Sequence, residues 1–263
     1  MEIKELLNAG QLQESVALAT QKVRENPFDV DARSLLVECL ILADEFDRAD
    51  KQLDTIAYQH PEMVTGVSLL RQLIRGEMAR QEFFLQGRVP EFVDLPDNNI
   101  KEMLRASIFM RNGEMASAFE VYEHIEEERK PIKGSCNGEP FDDFRDLDDQ
   151  LGQVIEVLTS TGKYFWIPVS MIKKIEFRPI ERPIDMKWRR AYLETTKENL
   201  DGEVYIPGIY VAADNKDDSV KLGRTTDWVG SETEPFRGVG QKMFLVGDDS
   251  INLMDLQEIE FEH

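Results

Sequence analysis

The sequence is short of the residues on which much site chemistry depends. Its 263 residues include two cysteines, Cys39 and Cys136, and three histidines, His60, His124 and His263. Two cysteines build no disulfide framework and suit a reducing compartment. Three scattered histidines leave little for a His-based metal or catalytic site. Long apolar runs are missing too: none approaches the roughly 18–20 residues needed to span a bilayer. The start, Met1-Glu-Ile-Lys-Glu-Leu-Leu7, lacks the basic and apolar regions of a secretory leader. The expectation is a cytoplasmic protein without membrane insertion. Positive charge is also scarce. Against 51 Asp and Glu there are 31 Lys and Arg, for a net charge of −20. A field of that sign repels phosphate backbones, so nucleic acid is not an expected partner.

What the sequence does have is a globular composition, 41% hydrophobic and 31% charged, and an internal period. Leu6-Leu7 aligns with Leu40-Ile41, Ala9 with Ala43, Leu12 with Phe46, Ser15 with Ala49, and Pro27 with Pro61. A weaker third copy carries Met115 and Ala118. The spacing of about 34 residues, with small residues and a closing proline, resembles the tetratricopeptide repeat. Helices are predicted over about 2–8, 12–25, 29–43, 46–58, 62–87, 97–112 and 115–129. Leu36 and Leu40 share one helix face, Ala49 takes the close-contact position, and Pro61 ends the unit because its ring cannot continue a helix. Such helix pairs bury their faces only by stacking.

Beyond Lys130 the pattern changes. Pro131, Gly134, Gly138 and Pro140 suggest a linker over 131–140, followed by short apolar runs. Val154–Leu158 and Tyr164–Ile167, separated by Thr-Ser-Thr-Gly-Lys, read as a hairpin. Ile175–Phe177, Val204–Ile206, Met243–Val246 and Ile259–Phe261 read as further strands. The expected fold class is α+β multidomain. A tetratricopeptide-like α–α superhelix (1–130) precedes a small β-rich domain (141–263), a mixed antiparallel sheet or partial barrel. Trp166, Trp188 and Trp228 all fall in that domain, as core or rim aromatics.

No motif assembles catalysis. The acidic run 141–149, which includes Asp148 and Asp149, lacks the glycine and terminal glutamate of an EF-hand loop. It reads as a solvated or Arg-paired turn. Thr161-Gly-Lys163 lacks the first glycine and the Ser or Thr of a phosphate loop, and Gly238-Val-Gly240 precedes a strand instead of a helix. Cys136 has no obvious base and is expected to be an ordinary exposed thiol. Neither metal nor cofactor is expected, and the protein reads as a binder, not an enzyme. The alternative is an enzyme or ligand-binding module built on the acidic turn and tryptophans: Asp148, Asp149, Trp166, Arg224 and Trp228.

A helical-repeat stack offers a concave face for peptides or helices. The repeat register turns Ser34, Glu38 and Ile41 toward it from the first full pair, Gln72 and Arg75 from the next, and Met110 and Arg111 from the third. Apolar anchors beside two arginines suit an amphipathic helix carrying acidic residues. On the alternative reading, Arg75 and Arg111 merely pair with Glu77, Glu102 or Glu114.

Several stretches together resemble one family, ImpE, also called SciE or TagJ. They are the opening Leu6–Val16 with Arg24 and Pro27; Arg71, Glu77, Arg80, Phe83-Phe84, Gly87 and Pro90; Asp149–Glu156 with Gly162–Pro168; Pro183–Ala191; Arg224–Trp228; and Gly238–Met243. The resemblance spans nearly the whole chain. It departs at Gln150 and Gln153, where the family usually has arginine and proline. It implies a cytoplasmic, non-enzymatic accessory factor of bacterial type VI secretion. Such a factor binds the N-terminal helix of the small contractile-sheath subunit and is linked to the AAA+ ATPase that recycles the sheath.

Overall fold

The computed structural model describes residues 2–197, 201–212 and 217–263. Seven helices come first: α1 (Ile3–Asn8), α2 (Leu12–Glu25), α3 (Val30–Leu42), α4 (Phe46–Gln59), α5 (Val64–Gln86), α6 (Asn98–Arg111) and α7 (Met115–Glu128). Their bounds follow local chemistry. Asp29 caps α3 by accepting the Ala32 N–H, and Asp97 caps α6 by accepting that of Ile100. Pro61 opens a single 3-10 turn ahead of α5. Ala49 and Ala118 are fully buried, and their small side chains suit close approach of the pairs α3–α4 and α6–α7.

The second half is antiparallel. Its elements are β1 (Gly134–Cys136), β2 (Glu139–Phe141), β3 (Phe144–Asp146), β4 (Val154–Leu158), β5 (Tyr164–Pro168), β6 (Ile172–Phe177), β7 (Trp188–Thr195), β8 (Gly202–Pro207), α8 (Asp218–Lys221), β9 (Thr226–Ser231), β10 (Glu234–Gly240), β11 (Met243–Val246), β12 (Asp249–Asn252) and β13 (Glu258–Phe261). Eight strands form an open sheet in the order β2-β1-β13-β6-β7-β8-β4-β5; β9 and β10 make a hairpin, and β12-β11-β3 a small third sheet. The expected hairpin is present, with Val157 opposite Phe165. The expected linker is not. Residues 131–140 supply β1 and the first two residues of β2, and β1 pairs with β13, so two short strands close the sheet's end. Cys136 is accordingly buried and not the exposed thiol expected.

The strand β4 explains how the two halves meet. All five of its residues are buried. Val154 and Leu158, with Tyr164 and Trp166 of β5, join the core of the helices, while Ile155, Val157 and Ile167 join the sheet's own core. A strand covered on both faces loses the polar alternation of a surface strand and reads as a nearly continuous apolar run. Among the described residues, no helix is long and apolar enough to cross a membrane.

Candidate functional site

The most conspicuous chemistry lies at the junction of helices and sheet. Arg80, on the sheet-facing side of α5, donates from Nε to Glu156 Oε1 at 2.8 Å and from Nη2 to Glu156 Oε2 at 3.0 Å. It also reaches Glu77 Oε1 at 3.1 Å and the Ile209 carbonyl at 2.9 Å. The Lys242 ammonium lies 3.1 Å from Glu156 and 2.7 Å from Asp146. Tyr164 donates to Glu156 at 2.7 Å, Tyr210 to Asp146 at 2.6 Å, and the Trp188 indole to Glu77 at 3.0 Å. Arg80, Glu77, Glu156, Asp146 and Lys242 are all buried.

The charges hold one another ionised. Burial works against the Glu156 carboxylate, but Arg80 and Lys242 outweigh it and hold the carboxyl at about 2. Burial likewise opposes the Arg80 and Lys242 cations, and their carboxylate neighbours raise both. Asp148 is different. Burial first, then the Asp146 charge, push its carboxyl up to about 7, while the N–H groups of Gln150 and Gly238 hydrogen-bond to it. Of the two readings of the acidic run, the Arg-paired one holds for part of it and the solvated one fails at Asp146 and Asp148. Asp143 pairs with Arg129 and Asp149 with Arg145, while Asp146 and Asp148 are sealed inside. No cluster of three His, Cys, Asp or Glu suited to a metal ion occurs among the described residues.

This junction occupies the concave face expected to be open. Glu38 bonds Arg182 at 2.9 Å, Asp44 bonds Lys187 at 2.7 Å, and Leu158 packs against Gly76 of α5. Glu38, Ile41 and Met110 are buried, and Gln72 lies against the Gly162 turn between β4 and β5. Ser34 is half-buried and Arg75 exposed. A helix laid along α3 and the first half of α5 would have to displace the sheet. The expected arginine pairings also differ. Glu77 is held by Arg80 and Glu102 by Arg105, while Arg75 donates to Gln72 and Arg111 to the Phe83 carbonyl and Ser107.

What remains open is a strip at the far end of the groove. One cavity of about 230 Å³ is bordered by Asp44, Gln81, Lys187 and Lys221. A second, of about 240 Å³, is bordered by Met110, Arg111, Gln150 and Arg237. Leu85, Tyr210 and Val211 line both. The residues of the alternative site are not gathered together. Asp148 borders this strip, Asp149 and Trp228 line a separate cavity with Phe236 and Leu245, and Arg224 borders a third beside Leu7 and Leu42. Arg224 caps the end of α1, donating to the carbonyls of Leu7 and Asn8. Trp166 is fully buried against Phe83.

The sequence offers Glu77 as a partner for Arg75 or Arg111, gives Arg80 and Glu156 no role beyond the stretches that resemble the family, and does not connect Lys242 or Asp146 to them. The available signal was Glu156 itself, a carboxylate inside the apolar run Val154-Ile-Glu-Val-Leu158. A buried charge demands a partner.

The comparisons agree with this architecture. Residues 6–73 match the model of the tetratricopeptide repeat, and residues 138–260 match that of the ImpE protein family. The chain is 28% identical to a type VI secretion system accessory component, TagJ of Pseudomonas aeruginosa PAO1, over 98% of this chain and 90% of that one. The crystal structure of protein VPA1032 from Vibrio parahaemolyticus superposes with a TM-score of 0.91 at 31% identity, over 99% of this chain and 97% of that one. With repeat, sheet and junction accounted for, the chain belongs to the ImpE family.

Proposed function

We propose that the protein is a non-enzymatic adaptor of bacterial type VI secretion. In this reading it holds the N-terminal amphipathic helix of the small contractile-sheath subunit, and so influences how the sheath reaches its recycling AAA+ ATPase. The end-to-end similarity to a type VI accessory component supports the setting. The observation that carries the reading is the strip beside Leu85, which is 48% exposed next to Met110, Arg111 and Val211. It joins an apolar ridge to a positive charge in a chain of net charge −20. Apolar anchors at helical spacing, flanked by an acidic residue, are what such a surface accepts. The buried charges at the junction are spent on one another, which favours a scaffold over a reaction centre.

The test is the affinity of a synthetic peptide carrying the sheath subunit's N-terminal helix. A Kd tighter than about 100 μM, or roughly 5.5 kcal/mol, is expected, and Leu85→Glu should weaken it at least about tenfold. Arg75→Glu should not. Arg75 lies ten residues before Leu85 on the same helix, about 15 Å along its axis. Absence of binding at that concentration overturns the reading.

A further inference from the structure

The strip contains two guanidinium groups that no acid among the described residues engages. Arg80, Arg129, Arg145 and Arg182 each have a carboxylate partner. Among the described residues, Arg111 and Arg237 have none, although both border the 240 Å³ cavity. Arg111 is held in place nonetheless. Its Nη1 donates at 3.2 Å to both the Phe83 carbonyl and Ser107 Oγ, and its guanidinium carbon lies 5.9 Å from the Phe83 ring centre. Those bonds leave Nε and Nη2 uncommitted, the two parallel donors with which arginine grips a carboxylate. The face of the group lies over Gly87, where any Cβ would stand 3.1 Å from Nε and Nη2. Gly87, at φ +85°, therefore leaves the guanidinium its place.

Arg237 comes from the opposite wall, on β10. Its Nε is shielded from solvent and has no hydrogen-bond partner among the described residues. A buried donor left unmade is costly, so it marks a place where an acceptor is wanted. Asp148 borders the same cavity but lies within ion-pair distance of neither arginine, and its own acceptors are taken by Gln150 and Gly238. The rest of the wall includes Leu85, Met110 and Val211, which are apolar.

We propose that Arg111 and Arg237 together receive one carboxylate side chain, an Asp or Glu flanked by apolar residues on the incoming helix of the partner. This rests on the adaptor reading and adds to it the chemistry by which the helix is oriented. It also makes the binding site joint property of the two halves, since one arginine ends α6 and the other lies in the β-rich domain.

Two measurements on the full chain test the pair. In the first, glutarate is titrated into 15N-labelled protein at constant ionic strength. The side-chain Nε–Hε signals of Arg111 and Arg237 should shift saturably, and sodium chloride should not reproduce the shift. In the second, Arg111→Gln and Arg237→Gln should each weaken the sheath peptide about tenfold while keeping the wild-type circular dichroism and Tm. A peptide with its acidic residues changed to amides should lose a similar factor and become indifferent to either arginine change. If the peptide binds but both arginine variants bind it equally well and glutarate leaves the signals unmoved, the pair is overturned and the adaptor reading stands. If glutarate moves the signals but the peptide does not bind, the partner assignment falls, and with it the proposal that the carboxylate comes from a helix.

Discussion

Arg80 and Glu156, 76 positions apart, meet face to face through two parallel hydrogen bonds, one carried by the long helix α5 and the other by the doubly covered strand β4. That contact ties the repeat to the sheet. Removing two ions from water is expensive, and the exchange is favourable only when every lone pair and proton finds a partner. Here Glu77, Tyr164, Lys242 and the Ile209 carbonyl complete the set.

Breaking the pair from one side should be costly. Arg80→Met leaves Glu156 and Glu77 without their guanidinium and is expected to cost about 3–5 kcal/mol in urea unfolding. Adding Glu156→Gln to Arg80→Met should restore part of that loss, because one of the two stranded carboxylates is gone while Glu77 remains. A single variant within about 1 kcal/mol of wild type would show that the pair does not hold the halves together.

Asp148 predicts a pH dependence of definite sign. Its carboxyl has an ordinary value of 3.8 and is raised to about 7 in the fold. Between those values the folded protein binds more protons here than the unfolded chain, so this group's contribution to stability falls as pH rises from about 4 to about 7. Asp148→Asn removes that contribution. Its stability relative to wild type should improve across the window by more than about 1.4 kcal/mol, one pH unit's worth. A difference that stays flat from pH 4 to 8 contradicts the assignment.

The turn between β4 and β5 depends on Gly162, at φ +79°. A Cβ there would run into the Gln72 side chain and come within 3.2 Å of Arg75 Cδ. Gly162→Ala should therefore cost about 1–2 kcal/mol from the left-handed backbone alone. Thermal unfolding measures the loss, and an unchanged Tm would show that the turn relaxes freely.

Both thiols should be silent in the native protein. Cys39 is fully buried, and burial pushes it up to about 12, while Cys136 is raised by burial on β1. A thiol-reactive chromogen should label neither until the chain is unfolded. Rapid native labelling of Cys136 would mean that β1 opens from β13.

The helices were legible because their signals are local. The period of Leu36, Leu40, Ala49 and Leu53, with Pro61 as a stop, specifies a helix pair without reference to anything distant. The hairpin Val154–Pro168 was legible for the same reason. The strands β1, β2, β3, β7, β9, β10 and β12 were not: β1 and β3 are three residues long and take distant partners, β13 and β11, while β9 pairs locally with β10 but is mostly exposed and carries no apolar run. The sequence by itself determined a helical repeat, a separate β-rich half and the absence of a disulfide framework, through composition, periodicity and punctuation acting over a few residues. Tertiary structure alone decided that the sheet fills the concave face, that Glu77, Arg80, Glu156, Asp146 and Lys242 converge there, and that Arg111 and Arg237 have no carboxylate partner among the described residues. Burial and charge pairing are properties of distance in space, and residues 76 or 126 positions apart carry no mutual signal until the chain is folded.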